Sequence, residues 1–274
     1  MTLPMFAYVQ AESVPQATTL LADRGGAKVL AGGHALLPAL KQRRVRPQLL
    51  IDISQLSELR QIRREGDTVL IGAASRHCDV YRADVVRRNF PMLAHVAATV
   101  GDPQVRHRAT IGGSIAQADP TSDIAAVLVA LRAEITLVSA TGSRSRQLAD
   151  CYLPEGGIDA TAQEIITEIR LPTLPGDVSA WGFEKFRYRS IDPSIVAVAA
   201  AFSGSASIGL AGMGPATRRA YAGEQAILAG ADNDNVIAAT IAAIPPVRLP
   251  GASDAYRRAL CVELLHSILR RRPA

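Results

Sequence analysis

The sequence predicts an α+β protein built from two successive units. Three observations predict it. Helical and extended segments follow one another irregularly, not as a βαβα repeat; "LPTLPGDVS" (171–179) punctuates the chain with prolines and glycine; and the segments beyond it read as antiparallel strands followed by alanine-rich helices. At 274 residues the chain is long enough for two apolar cores.

The elements follow in order. "FAYVQA" is extended, and a helix starts near Ser13, which can cap it, with Pro15 in the first turn and a stop at Gly25 and Gly26. "AKVLAGG" is a short buried strand broken by glycines, and "ALLPALKQRRV" a helical run limited by Pro38. "QLLIDIS" is a strand, "QIRREGDTVLIGA" a hairpin turning around Gly66, and "DVYRADVVRRNFPMLAHVAATV" a helical region broken near Pro91. The centre, "GDPQVRHRATIGGSIAQADPTSD" (101–123), gathers glycines, prolines, acids and two arginines before the apolar helix "IAAVLVALRA". Strands "EITLVSA" and "EIITEIRLP" follow; past the boundary, "WGFEKFRYR" alternates like a strand, and "SIVAVAAAF" and "SASIGLAGM" read as antiparallel neighbours.

Composition excludes several classes. Hydrophobic residues are 48% and charged residues 20%, which suits a globular chain and not a disordered one. The apolar run at 195–202 falls short of the roughly 20 residues that span a bilayer, and "MTLPMFAYVQ" lacks the basic start and apolar core of a signal peptide, so no membrane span and a cytoplasmic location are expected. Cys78, Cys151 and Cys261 lie far apart with no C-x-x-C, which gives neither a metal site nor a disulfide framework. The net charge of +5 is spread over separate arginine clusters without a nucleic-acid motif, so no nucleic-acid partner is expected.

Two glycine pairs, Gly32–Gly33 and Gly112–Gly113, each read as a turn between a short apolar strand and a helical run. Successive N–H groups in such a turn can form an anion-binding nest, and glycine allows close approach. Two nests suit a dinucleotide's two phosphates, yet the G-x-G-x-x-G fingerprint, the P-loop and the G-x-S-x-G elbow are all missing.

"VLAGGHALLPALKQRRVRPQLLIDIS", "IGAASRHCDV", the central motif and "EIITEIRLP" together resemble the FAD-binding (medium) subunit of the molybdenum hydroxylases, the family of carbon monoxide and xanthine dehydrogenases. The end, "GASDAYRRALCVELLHSILRR", is similar to the C-terminal domain of these subunits. The resemblance implies a two-lobed FAD-binding domain of vanillyl-alcohol-oxidase (PCMH) type over 1–175, with lobes of about 1–56 and 57–175. A smaller α+β domain with an antiparallel sheet would follow over 178–274.

It implies noncovalent FAD held by Ala31, Gly32, Gly33, His34 and Ala35, by Thr110, Ile111, Gly112, Gly113 and Ser114, and by Asp123, with Ile166 beside the flavin ring and Lys185 lining the site. No catalytic side chain or metal ligand is implied in this chain. Molybdopterin would sit on a large partner subunit and two [2Fe–2S] clusters on a small one, in a dimer of heterotrimers that delivers electrons to an external acceptor. The residues also leave open a stand-alone flavin oxidase and a non-enzymatic nucleotide-binding assembly subunit. His34, His77, Cys78 and His107 are the candidates for a covalent flavin bond, which the resemblance disfavours. Ala35 stands where serine is frequent, His107 for asparagine, Gln117 for histidine, and Ala109 for glycine, where a positive φ would be strained.

Overall fold

A computed structural model describes residues 3–173, 180–202 and 205–272. The fold is α+β, and the strands of the described residues form three sheets. The sequence-predicted boundary at 171–179 falls mostly on 174–179, outside the described residues.

The first sheet is parallel: β1 (Ala7–Gln10) and β2 (Ala27–Leu30) flank β3 (Leu49–Asp52). Helix α1 (Val14–Asp23) starts where the sequence predicts, because Ser13 Oγ accepts from Gln16 N at 3.3 Å and Pro15 occupies the first turn, where no N–H is needed. Ala17, Thr18 and Leu21, one helical stripe, are buried against the sheet. Removing the Leu21 side chain from water contributes about 2 kcal/mol. Helix α2 (Leu36–Lys41) follows β2 and ends at once, with Arg43 in the left-handed region (φ 57°).

The second sheet is antiparallel in the order β4, β5, β8, β6, β7. Strands β4 (Ile62–Glu65) and β5 (Thr68–Gly72) form the hairpin, turning through Gly66 at φ +56°. Between β5 and β6 lie six helices: α3 (His77–Arg82), α4 (Asp84–Asn89), α5 (Pro91–Ala97), α6 (Pro103–Arg106), α7 (Ile111–Gln117) and α8 (Asp123–Ala130). Strands β6 (Glu134–Ser139) and β7 (Gly142–Gln147), helix α9 (Leu148–Cys151) and strand β8 (Ile165–Pro172) complete this part.

The third sheet runs β12, β11, β10, β9, again antiparallel, from β9 (Trp181–Phe186), β10 (Val196–Ala201), β11 (Ser207–Ala211) and β12 (Arg218–Arg219). Strand β10 is apolar throughout because both its faces are covered. Ala197, Ala199 and Ala201 join the core around α8, while Val196, Val198 and Ala200 face the core built with α11 (Asn233–Ala242) and α12 (Asp254–Leu269). Helix α10 (Tyr221–Leu228) packs beside α11. Helix α8, buried at every position from Ile124 to Ala130, is the centre of the molecule. It lies so close to β11 that a Cβ on Gly209 would come within 2.0 Å of the Ala126 carbonyl oxygen. No described helix is long and apolar enough to cross a membrane.

The third sheet is tied to α12 by Arg257, 1% exposed. Its guanidinium donates to the carbonyls of Ile195, Gly212 (3.2 Å) and Pro250 (2.7 Å). Without it the buried Gly212 carbonyl and the half-buried Ile195 carbonyl would lose their partner, so Arg257→Leu should cost about 3 kcal/mol or more. Urea unfolding checks this, and a loss below about 1 kcal/mol contradicts the role.

Candidate functional site

The first glycine turn leaves β2 at the carboxyl end of the parallel sheet. Leu30 O still accepts from Ile53 N at 2.9 Å, and then the chain turns, Gly33 adopting φ +78°. The carbonyls of Gly33 and Ala35 take N–H groups of α2, but among the described residues nothing accepts from the N–H of Gly32, Gly33, His34 or Ala35. Four consecutive unsatisfied donors beside a positive-φ glycine make an anion-binding concavity. Ala31 leads the backbone into it. Ala35, the N-cap of α2, makes no side-chain cap bond, so the position that serine often fills offers no hydroxyl.

Gly32 has a different duty. A Cβ there would lie 2.1 Å from the Arg108 carbonyl oxygen and 3.0 Å from Ala109 Cα. Its bare backbone lets the first turn rest on the chain that enters the second. Ala109 is not among the residues with positive φ, so the strain expected there is absent from this described position.

The second pair departs from the sequence-based expectation. Gly112 and Gly113 lie inside the first turn of α7, not in a turn before it, and only an isolated bridge, Arg76 to Thr110, precedes them in place of a strand. The amides are already used: Ile111 N donates to Ser75 O (3.0 Å), Gly112 N to Ala73 O (2.9 Å), Gly113 N to Thr110 Oγ1 (3.2 Å) and Ser114 N to Thr110 O (3.0 Å). Gly112 is needed for packing, since a Cβ would sit 2.5 Å from that of Ala73. Gly113 is exposed, and a Cβ there would meet only Thr110 Oγ1, at 2.8 Å. The floor beneath this turn continues into the second sheet, where a bulge between the β6 and β8 registers accompanies the bond from Ala73 N to Thr167 O (2.9 Å).

Asp123, at the first position of α8, is paired. Its Oδ2 accepts from Lys185 Nζ on β9 at 2.5 Å and its Oδ1 from Ser194 Oγ at 2.6 Å. The carboxylate also favours a helix N-terminus. Lys185 is therefore not a solvated lysine: its side chain is 14% exposed. Ile166 is a buried residue of the main core, on β8 opposite Leu137.

Sequence reasoning missed two members of these contacts. Ser194, at the edge of an apolar strand, gave no signal. His77, which the sequence offers only as a candidate for a covalent flavin bond, is wholly buried, with Nε2 3.0 Å from Ser114 Oγ and its backbone N–H on Ala109 O at 3.1 Å. The available sign was a histidine opening a helix a few residues past an apolar strand.

A separate cleft of about 680 Å³ opens at the carboxyl ends of β1 and β3, lined by Glu12, Ser13, Gln55 and Glu58 among others. Its acidic lining repels a phosphate, so the free amides at 32–35 are the better candidate.

The family model described as the FAD binding domain in molybdopterin dehydrogenase matches residues 4–174. The chain is 39% identical to the glyceraldehyde dehydrogenase medium chain of Sulfolobus acidocaldarius, over 72% of this chain and 70% of that one. It is 34% identical to the carbon monoxide dehydrogenase medium chain of Hydrogenophaga pseudoflava, over 97% and 96%. The solved carbon monoxide dehydrogenase from Hydrogenophaga pseudoflava that lacks the Mo-pyranopterin moiety of the molybdenum cofactor superposes over the whole of both chains, with a TM-score of 0.91 at 33% identity.

Burial, reinforced by the facing His34 and Arg106, holds the His77 imidazole at about 4, below its ordinary 6.5. The unfolded chain therefore takes up the proton first as pH falls. The stability is fully present above pH 6.5 and is lost towards about 4. Between pH 7 and pH 5, His77 alone should remove about 2 kcal/mol. Urea unfolding at the two pH values measures it, and His77→Gln should flatten the difference by that amount.

Proposed function

The chain belongs to the family of FAD-binding domains of molybdopterin dehydrogenases, and on that premise we propose that it is the FAD-carrying electron-transfer subunit of a molybdenum hydroxylase. It receives electrons from [2Fe–2S] clusters on a small partner subunit, which a large molybdopterin-binding subunit reduces, and delivers them to an external acceptor. The relatives named medium chain support membership of such an assembly, for which we infer a dimer of heterotrimers. Those relatives are dehydrogenase subunits, which favours this reading over a stand-alone flavin oxidase or a non-enzymatic assembly subunit.

The observation that carries the FAD site is the run of unsatisfied amides at 32–35. In this reading Gly32, Gly33, His34 and Ala35 donate to the diphosphate, with Ala31 setting their entry. Thr110, Ile111 and Gly112 form a rigid platform, Gly113 lets the ligand approach, and the half-buried Ser114 presents a hydroxyl. Each Asp123 oxygen keeps a lone pair after its bond to Lys185 or Ser194, and so can accept from a cofactor hydroxyl. Lys185 neutralises that carboxylate beside the anionic ligand, and Ile166 adds apolar surface. Bound FAD would supply the redox chemistry, taking up electrons and releasing them to the acceptor.

The cysteines suit this division of labour. Cys78, Cys151 and Cys261 are buried in three different helices, and burial pushes the Cys151 thiol up to about 11 and that of Cys261 to about 12. Such thiols stay protonated and make poor cluster ligands.

The purified chain should carry FAD, or take it up, and release it on acid precipitation; a colourless chain that cannot be reconstituted contradicts the reading. Gly113→Val should weaken FAD binding about tenfold or more by blocking approach. Arg87→Ala, on an exposed ion pair of α4, should leave FAD content unchanged.

A further inference from the structure

His77 is a fully buried polar side chain to which the reading above gives no task. Its Nε2 lies 3.0 Å from Ser114 Oγ, and its Nδ1 has no partner among the described residues. Ser114 Oγ also lies 3.2 Å from Thr110 O. The serine has a single hydroxyl proton, and Thr110 O, an unprotonated imidazole nitrogen and a phosphate oxygen can all only accept it.

Two proton arrangements are possible. With the ring proton on Nδ1, the serine hydroxyl donates to Nε2, and a buried N–H is left with nothing to donate to. With the ring proton on Nε2, the ring donates to Ser114 Oγ, the orphan is only a lone pair, and the hydroxyl proton is free to point elsewhere. An orphaned acceptor is the milder defect. The side chains facing the ring, His34 on the first turn and Arg106 on α6, oppose a second ring proton. Arg106 is itself held by the carbonyls of Val100 (2.9 Å) and Gly101 (3.0 Å).

We propose that His77 is a positioning residue for the dinucleotide: as the Nε2–H tautomer it donates to Ser114 Oγ, and so directs the Ser114 hydroxyl proton away from Thr110 O and onto a phosphate oxygen. The inference rests on the FAD reading. No bond to hydrogen breaks; each group donates one proton along the line from His77 to Ser114 to phosphate. The second turn, whose amides are spent, thus contributes to the anion through a side chain.

The test uses the full-length chain with FAD as the probe. Nitrogen-15 spectra of the histidine side chains should show the His77 proton on Nε2 when FAD is bound; a proton on Nδ1 overturns the proposal, and this readout needs no substitution. In FAD titrations, Ser114→Ala and His77→Leu should each weaken binding about 10- to 100-fold, and the double variant no more than the worse single one. His77→Gln, whose amide can donate from a similar place, should stay within about threefold of the unsubstituted chain. Unchanged affinity in a folded His77→Leu, or losses that multiply in the double variant, overturns the relay while leaving the FAD reading intact. An unsubstituted chain that takes up no FAD overturns both.

Discussion

A missing methyl carbon at residue 32 decides how the site is assembled. Because Gly32 has no Cβ, its backbone can lie against the Arg108 carbonyl and Ala109, a contact that any side chain would push apart by more than an ångström. The first turn, at the end of a parallel sheet, is thereby seated on the loop that starts α7. From that loop the contacts run inward: Ala109 O accepts from His77 N, Thr110 caps α7, and Ser75 and Ala73 receive the amides of Ile111 and Gly112. In the FAD reading, these two segments, far apart in sequence, become two walls around one ligand.

The walls differ in what they offer a ligand. The first presents unsatisfied amides; the second has used its amides to hold itself in place and presents Ser114, backed by a neutral buried histidine. Rigidity in one wall and open donors in the other is a workable division, since donors held in position lose little freedom when an anion arrives. The third sheet is drawn in by the Asp123–Lys185 pair and by Ser194, and Arg257 fastens the neighbouring Ile195 carbonyl to α12. Asp123 thus joins the helix at the centre of the molecule to the strand that carries Lys185.

Much of this was legible in the sequence. The Ser13 cap, the hairpin at Gly66, the antiparallel pair β10 and β11 and the apolar α8 all announce themselves by local signals, namely a capping side chain, a turn glycine, and apolar runs of the right length. The glycine motifs were legible as motifs, but not in their roles. A glycine required for packing, such as Gly112 against Ala73, and one that leaves a donor free look alike in one dimension, because the difference lies in where a distant carbonyl falls. Ala109 shows the same limit from the other side: an alanine at a glycine position suggested strain, yet its backbone is ordinary there. The partners of Asp123 come from a strand and a loop beyond residue 180, and His77 is defined by a hydroxyl thirty-seven residues away; neither separation leaves a periodic trace.

In the FAD reading one glycine turn offers its amides to the cofactor and the other does not. Amide hydrogen exchange of the full chain, with and without FAD, tests it most directly. Gly32, Gly33, His34 and Ala35 should exchange freely without FAD and become protected when it binds, while Gly112 and Gly113 should be protected in both states. Exchange at Gly32 to Ala35 that FAD leaves unchanged, with new protection appearing only at Gly112 and Gly113, would contradict it.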